Sequence, residues 1–323
     1  MQAVGTSRDL VQLASAIAVW FAVFTLQGGA QTMTGEPWTA GGLHGTLQTP
    51  AGSAPRGPAV LIIAGSGPTD RNGNGPLVST DTYRMLAEGF AVQGIRSLRY
   101  DKRGIGESRA LAAREEDLQF GHFVDDAVTA IRALAARPDV SAVFVAGHSE
   151  GALVALLAAQ KIDVAGVMLL TATGRPLSAV LRDQLQAMSA PLKDDAFRIL
   201  DKLIAGEPVK DIRPDLSALF RPSVQPFLLS LLTIDPATEL KKLKVPVLVM
   251  HAERDLQISR SDFEALRAAR SDLHSVVLPE ANHVLKTSPA DRASNIALYS
   301  NRTAPLDPGV MPPLVAFVRR AAR

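Results

Sequence analysis

The stretch Ala142-Val143-Phe144-Val145-Ala146-Gly147-His148-Ser149-Glu150-Gly151-Ala152-Leu153-Val154 decides the fold of this chain. It begins with a continuous apolar run, typical of a strand buried on both faces, and ends in an Ala- and Leu-rich helical pattern. The Gly-x-Ser-x-Gly pattern between them predicts a tight strand-to-helix turn that exposes Ser149 as a nucleophile. Gly147 and Gly151 fit this interpretation because side chains two residues away from the strained serine would collide.

The same alternation of apolar runs and helical patterns continues from residue 58 onward. It predicts βαβ units, and therefore an α/β fold with a mostly parallel, twisted sheet and helices on both faces. Residues 38–48 have the pattern of an antiparallel hairpin that leads into the sheet. The predicted strands are 59–64, 95–100, 142–146, 164–170, 245–251 and 274–278. The predicted helices are 83–93, 123–136, 152–160, 261–269 and 310–320.

Residues 175–240 interrupt this alternation, because they contain helical patterns and no good strand. Since strands resume afterwards, we interpret the interval as a helical cap inserted into one α/β core that comprises 31–174 and 241–323. Its helical patterns cover 177–188, 194–205 and 223–232, separated by Pro191, Pro208, Pro214 and Pro222.

An acid and a histidine are expected to follow such a serine in chain order. The strand at 245–251 leads into Glu253 and Asp255, and an acid just past a parallel strand lies at the edge where Ser149 is expected. Asp255 is the better candidate and Glu253 the alternative. His283 is the one histidine that follows the last predicted strand, so it can reach over the sheet edge. The other histidines are His44, His122, His148, His251 and His274.

Such a serine also needs hydrogen-bond donors for the negative charge that develops on the substrate oxygen. One donor is expected to be the backbone N–H of Glu150, and the second a backbone N–H in the loop after the 59–64 strand. That loop reads Gly65-Ser66-Gly67-Pro68, and the Ser66 N–H is our candidate. Each such donor contributes about 3 kcal/mol of transition-state stabilisation.

Two further patterns suggest ligand sites, but neither fits well. Residues 70–75 match the opening of an EF-hand calcium loop, yet Pro76 follows, position twelve is Asp81 instead of glutamate, and no helix leads in. Residues 101–108 have neither the Walker lysine placement nor the dinucleotide glycine spacing, so we interpret them as a structural turn. We therefore expect no metal and no organic cofactor.

The composition narrows the class of protein. Of the 323 residues, 47% are hydrophobic and 20% charged, which is typical of an ordinary globular chain. The formal net charge is only +2, so nothing favours nucleic acid as a partner. The absence of cysteine excludes disulfides, thiolate metal sites and a cysteine nucleophile.

The N-terminus has the pattern of a targeting segment. Arg8 precedes an apolar stretch at 10–26, and the small residues Gly28 and Ala30 sit two apart, as a signal-peptidase site requires. We expect residues 1–30 to be a cleaved signal peptide and the mature protein to be exported, either periplasmic or secreted. A retained N-terminal membrane anchor is the alternative, because the apolar stretch can nearly span a bilayer. No other integral membrane segment is expected.

Together these residues resemble the α/β-hydrolase superfamily, and within it the bacterial serine hydrolases described as serine aminopeptidase-like or esterase/lysophospholipase-like. The likeness implies a triad of Ser149, Asp255 and His283 and a helical cap at roughly 175–240. One departure lies at the start of the loop 65–68, which we call the predicted oxyanion loop: this chain has Ala64-Gly65 where many relatives have His-Gly. The matching stretches are 65–74, 100–106, 147–151, 255–257 and 282–286.

The sequence therefore predicts a serine hydrolase that cleaves a small-molecule acyl ester through an acyl-serine intermediate. A peptide or a thioester is the alternative substrate. A ligand-binding protein without catalytic activity on the same fold is the alternative from another class, because fold does not fix function. An aminopeptidase would pair the substrate amine with carboxylates, for which the cap offers Asp194, Asp195, Asp201, Glu207, Asp211 and Asp215.

Overall fold

A computed structural model describes residues 35–52 and 55–322, and ten strands lie in this part of the chain. They are β1 (Gly35–Ala40), β2 (Leu43–Gln48), β3 (Gly57–Ile63), β4 (Asn74–Gly75), β5 (Val78–Ser79), β6 (Arg96–Tyr100), β7 (Val140–His148), β8 (Gly166–Leu170), β9 (Val247–Ala252) and β10 (His274–Leu278). Eight of them form one sheet in the order β1-β2-β6-β3-β7-β8-β9-β10, and β4 and β5 form a separate ribbon. The pairs β1–β2 and β2–β6 are antiparallel, whereas the other neighbours in the large sheet run parallel.

The inner parallel strands are buried on both faces, as their uninterrupted apolar runs predict. Successive residues of β3 show why: Leu61 belongs to one hydrophobic core, whereas Val60 and Ile62 belong to the other. Likewise, Val145 and Phe144 of β7 face opposite layers. Because side chains alternate along a strand, one sheet supports a core on each face.

Helices cover both of these cores. Phe120 of α2 and Leu156 of α3 pack into the first core, and Phe90 of α1 and Leu314 of α11 pack into the second. The predicted parallel sheet with helices on both faces is therefore confirmed. The α-helices are α1 (Thr82–Val92), α2 (Phe120–Ala135), α3 (Glu150–Ala158), α4 (Leu177–Leu185), α5 (Ala190–Ile204), α6 (Ser217–Phe220), α7 (Gln225–Leu229), α8 (Pro236–Lys242), α9 (Arg260–Ala269), α10 (Arg292–Ala297) and α11 (Met311–Ala321). Short 3₁₀ helices cover Gly106–Leu111, Glu115–Asp117, Pro214–Leu216, Pro222–Val224 and Leu298–Ser300.

Five helices, α4 to α8, follow one another between β8 and β9, and every described residue in this interval lies outside the sheet. Helices α4 to α7 surround an apolar cluster of their own, to which Leu200, Phe220 and Leu228 belong, whereas Leu240 of α8 packs into the first core of the sheet. This helical segment overlaps the interval 175–240 that the sequence predicts to be an insertion. The helix predicted at 223–232 is shorter, because a 3₁₀ turn precedes α7.

Prolines separate these helices less strictly than the sequence pattern predicts. Pro191 does not end the preceding stretch but lies in the first turn of α5, where a proline removes no helical hydrogen bond. Pro236 likewise begins α8, a helix absent from the prediction. Asp235 caps that helix, since its side chain accepts a hydrogen bond of 3.0 Å from the Ala237 N–H.

The predicted signal peptide, residues 1–30, and the alternative membrane anchor lie outside the described residues. Within 35–52 and 55–322, no helix has both the length and the apolar character needed to cross a membrane. Cleavage and export therefore stay predictions.

Candidate active site

Ser149 lies at the junction of β7 and α3, in a backbone conformation that few residues other than glycine adopt. Its φ is 54° and its ψ is −123°. A Cβ added to Gly147 would lie 2.2 Å from the carbonyl oxygen of Gly151, and one added to Gly151 would lie 2.5 Å from that of Ala64. Both distances are sterically forbidden, so the two glycines permit the turn that holds Ser149 at the sheet edge.

Asp255 and His283 meet in a hydrogen bond of 2.7 Å between Oδ2 and Nδ1. Asp255 follows β9 and His283 follows β10, so both side chains come from the same sheet edge as Ser149. The second Asp255 oxygen accepts from the backbone N–H groups of Gln257 and Ile258, at 2.7 and 2.9 Å. With its side chain fully buried, the Asp255 carboxylate is fixed by three donors.

Glu253, the alternative acid, is directed elsewhere. Its carboxylate contacts Arg260 and lies 3.7 Å from the Nε2 atom of His251, and the side chain is 36% exposed. Among the described residues, no hydrogen bond joins it to His283. The structure therefore brings Asp255, and not Glu253, to the histidine.

Ser149 and His283 both line an open cleft of about 120 Å³. Their side chains are almost buried, and no hydrogen bond between the Ser149 Oγ and the His283 ring occurs among the described atoms. Bonds of this kind are often long without substrate and tighten when substrate binds. Ser149 and His283 thus line the same cleft, although no hydrogen bond joins their side chains among the described atoms.

The two predicted oxyanion donors lie beside the serine. Ser66 lines the cleft, and Glu150 follows Ser149 as the first residue of α3. Neither of these two amides has an acceptor within the described parts of the chain, whereas the Gly65 amide donates to the Tyr83 hydroxyl at 2.8 Å. The positive end of the α3 dipole is at the Glu150 amide, so both free donors suit a negatively charged oxygen.

Comparisons with known proteins identify the family of this chain. A family model described as alpha/beta hydrolase family matches residues 60–295. The chain belongs to the alpha/beta hydrolase family. A relative named Esterase EstD, from Thermotoga maritima, is 32% identical over 258 residues, which are 76% of this chain. The match covers 59% of that relative, so this chain corresponds to less than two thirds of its length.

Solved structures share the fold of this alpha/beta hydrolase family member. The proline iminopeptidase of Mycobacterium smegmatis has a TM-score of 0.57 and 15% identity, with 90% of this chain and 99% of that one covered. Est1E from Butyrivibrio proteoclasticus has a TM-score of 0.55 and 15% identity, with 89% and 99% covered. At such identities the likeness concerns the fold alone.

Lys102 holds the predicted oxyanion loop. The sequence pattern does not reveal this role. Its buried ammonium group donates to the carbonyl oxygens of Gly65 and Gly67, both at 2.5 Å, and so brackets Ser66. Burial lowers the pKa of Lys102, and the neighbouring Glu150 carboxylate opposes that change. The available signal was topological: a lysine directly after β6 lies beside the loop that follows β3.

A chain of hydrogen bonds joins the predicted oxyanion loop to the loop that carries His283. The Gly65 N–H donates to the Tyr83 oxygen, the Tyr83 hydroxyl lies 2.9 Å from His148 Nδ1, and His148 Nε2 lies 2.7 Å from the His283 carbonyl oxygen. Because a carbonyl can only accept, Nε2 carries the His148 proton and Nδ1 accepts from Tyr83. Burial, together with nearby His283, lowers the pKa of His148 to about 3, so that the ring stays neutral.

The polar loop that resembles a calcium site is held by the protein's own donors. Asp70 Oδ1 accepts from the backbone N–H groups of Asn72 and Asn74, at 2.8 and 3.0 Å. The Asp81 carboxylate accepts a hydrogen bond of 2.6 Å from the side-chain amide of Asn74 and two of 2.9 and 3.0 Å from the Arg302 guanidinium. Burial raises the pKa of Asp81, but these hydrogen bonds prevail and bring it down to about 2. The two acids therefore act in an internal network.

Proposed function

We propose that this protein is a serine hydrolase that cleaves carboxylic esters through an acyl-enzyme intermediate. The observation that carries the proposal is the Asp255–His283 hydrogen bond at the cleft that Ser149 also lines. In that bond the Nδ1–H of His283 donates to Asp255. The Nε2 atom is then the free base of a neutral imidazole, and it can accept the hydroxyl proton of Ser149.

The reaction begins when Ser149 Oγ adds to the ester carbonyl carbon and its proton moves to His283 Nε2. The carbonyl oxygen becomes an oxyanion that accepts hydrogen bonds from the Ser66 and Glu150 amides. His283 returns the proton to the alcohol oxygen as the C–O bond breaks, which leaves the acyl group on Ser149. A water molecule, deprotonated by the same imidazole, then adds to the acyl carbon, and His283 returns that proton to Ser149 Oγ as the bond between the acyl carbon and Oγ breaks and the carboxylic acid leaves. Asp255 orients the ring and stabilises its charged form throughout.

An ester is favoured over a peptide because the 32% identical relative is named an esterase. A peptide or a thioester remains the alternative substrate. Measured kcat/KM values for p-nitrophenyl acyl esters, acyl thioesters and aminoacyl anilides distinguish these substrates. All three would form the same kind of acyl-serine, so that differences in kcat/KM report the preferred leaving group. We expect the esters to give the highest kcat/KM.

The test of the proposal is Ser149→Ala, with Ser141→Ala as the matched control. Ser141 is an exposed serine on the same strand, β7, and does not line the Ser149 cleft. We expect Ser149→Ala to lower kcat for p-nitrophenyl acetate by about 10⁶-fold. Labelling by a fluorophosphonate probe should disappear as well, and circular dichroism should stay unchanged. The control variant should retain both activity and labelling.

Two results would contradict the proposal. Ester hydrolysis that persists in Ser149→Ala would show that another group attacks the substrate. A wild-type protein that hydrolyses no ester and takes up no probe would instead support a ligand-binding role on this fold.

A further inference from the structure

A second cleft of about 210 Å³ lies next to the one that contains Ser149 and His283. The two clefts have no lining residue in common, yet they are neighbours along the chain at two points. Ser66 lines the first cleft and Gly67 the second, and Ser149 lines the first and Glu150 the second. Because consecutive Cα atoms are about 3.8 Å apart, the proposed oxyanion donors lie where the clefts meet.

The second cleft has a mainly apolar wall, formed by Ile105, Leu118, Phe123, Val224 and Phe227. The ring of Phe123 on α2 meets the ring of Phe227 on α7 edge to face, with centroids 5.5 Å apart. None of the five side chains is fully buried, so part of their apolar surface is accessible from the cleft. Such a surface suits an apolar group of a ligand.

We propose that this second cleft binds an apolar acyl group of the ester, an inference that rests on the proposed function. His283 must protonate the alcohol oxygen, so the alcohol leaves on the side of the first cleft, which His283 lines. The acyl group then extends from the carbonyl carbon in the other direction, toward Glu150 and the apolar wall. The first cleft suits a polar alcohol better, because Thr80, Gln257 and Tyr299 line it.

The charged side chains of the second cleft argue against a charged acyl group, because most of them are already paired. Arg221 contacts Glu115, and Arg103 lies 2.6 Å from Asp126. Lys102 and Glu150 also line this cleft: the Lys102 ammonium donates to the Gly65 and Gly67 carbonyl oxygens, whereas the Glu150 carboxyl group has no hydrogen-bond partner among the described residues. Burial raises the pKa of Glu150, although the nearby Lys102 ammonium opposes that change, and an apolar neighbour adds less desolvation cost to this group than to a solvated carboxylate.

The experiment narrows the second cleft with Val224→Trp and uses Val92→Trp as the matched control. Val92 is 68% exposed on α1, which packs on the opposite face of the sheet. The measured quantity is the ratio of kcat/KM for p-nitrophenyl hexanoate to that for p-nitrophenyl acetate. We expect Val224→Trp to lower this ratio about tenfold or more, because each methylene excluded from an apolar pocket costs about that factor. Val92→Trp should leave the ratio at the wild-type value.

Thermal unfolding shows whether the Val224→Trp protein is folded. If that variant does not fold, Leu118→Phe takes its place, because it adds less side-chain volume to the same wall. A folded variant with an unchanged ratio overturns the inference. A wild-type preference for 6-aminohexanoate over hexanoate esters overturns it as well, in favour of a cationic acyl group. Fluorophosphonate labelling separates the two proposals: labelled wild-type protein with an unchanged ratio contradicts only the acyl cleft, whereas unlabelled protein contradicts the serine hydrolase itself.

Discussion

Different interactions stabilise the sheet edge around Ser149 and the helical segment α4–α8. At the sheet edge, the buried polar groups of Lys102 and His148 each bind specific backbone atoms. In the helical segment, an apolar cluster provides the packing, and ion pairs such as Arg213–Asp195 are exposed. Directional buried hydrogen bonds fix geometry, whereas apolar packing tolerates exchange and exposed ion pairs contribute about 0–1 kcal/mol. The proposed chemistry thus lies in the region held by directional buried hydrogen bonds, and the proposed acyl-binding wall is partly formed by the helical segment.

Among the residues that support Ser149, the largest effect should come from Asp255→Asn at the sheet edge. We expect kcat to fall about 10⁴-fold, because an amide at this position favours the wrong tautomer of His283 and cannot stabilise its charged form. Steady-state ester hydrolysis measures this effect. Glu253→Gln is the matched control, and its kcat should stay within a few-fold of the wild type. Equal losses in the two variants would contradict the assignment of Asp255.

A smaller effect is expected for Lys102→Met, which removes the ammonium that holds Gly65 and Gly67. We expect kcat to fall about 10²-fold with little change in KM, because the Ser66 amide loses its fixed position in the transition state. Lys102→Arg should restore part of the rate, and the exposed Lys161→Met serves as control. A raised KM at unchanged kcat would show that Lys102 binds substrate instead of positioning the loop.

The smallest effects concern stability and compare the buried acid Asp81 with the half-buried acid Glu115. The pKa of Asp81 is near 2, below its ordinary value of 3.8, so its ion pairs stabilise the fold above about pH 4. That stabilisation is lost as the pH falls through 2. We expect Asp81→Asn to lower the unfolding free energy by about 2 kcal/mol at pH 6 and by much less at pH 2. Glu115→Gln, which breaks the half-buried pair with Arg221, should cost less, about 1 kcal/mol.

Urea unfolding at several pH values measures both differences. The comparison between the regions would fail if Glu115→Gln cost as much as Asp81→Asn at pH 6. It would also fail if the Asp81→Asn difference did not shrink with acid.

The sequence predicts the parts of the molecule that depend on local pattern. The strands around Ser149 were predictable because fully buried parallel strands are continuous apolar runs. Asp255 and His283 follow from their places after β9 and β10, because the carboxyl ends of parallel strands meet at the same sheet edge. Tyr83 was not predictable as a partner of the site, because 65 residues separate it from His148. The role of Lys102 was not predictable for the same reason, since its acceptors in the predicted oxyanion loop are 35 and 37 residues away in the sequence. Contacts of this kind depend on how strands are ordered in the sheet, which no local pattern contains.

His148 has a consequence for anyone who rebuilds this site. Within the five-residue Gly-x-Ser-x-Gly motif it occupies a variable position, yet its two ring nitrogens connect Tyr83 with the backbone of His283. A pentapeptide moved into another scaffold would leave both contacts behind. The smallest transferable unit is therefore the motif together with the tyrosine and the histidine loop, and a designer who keeps only the motif should obtain a correctly bent but poorly aligned serine.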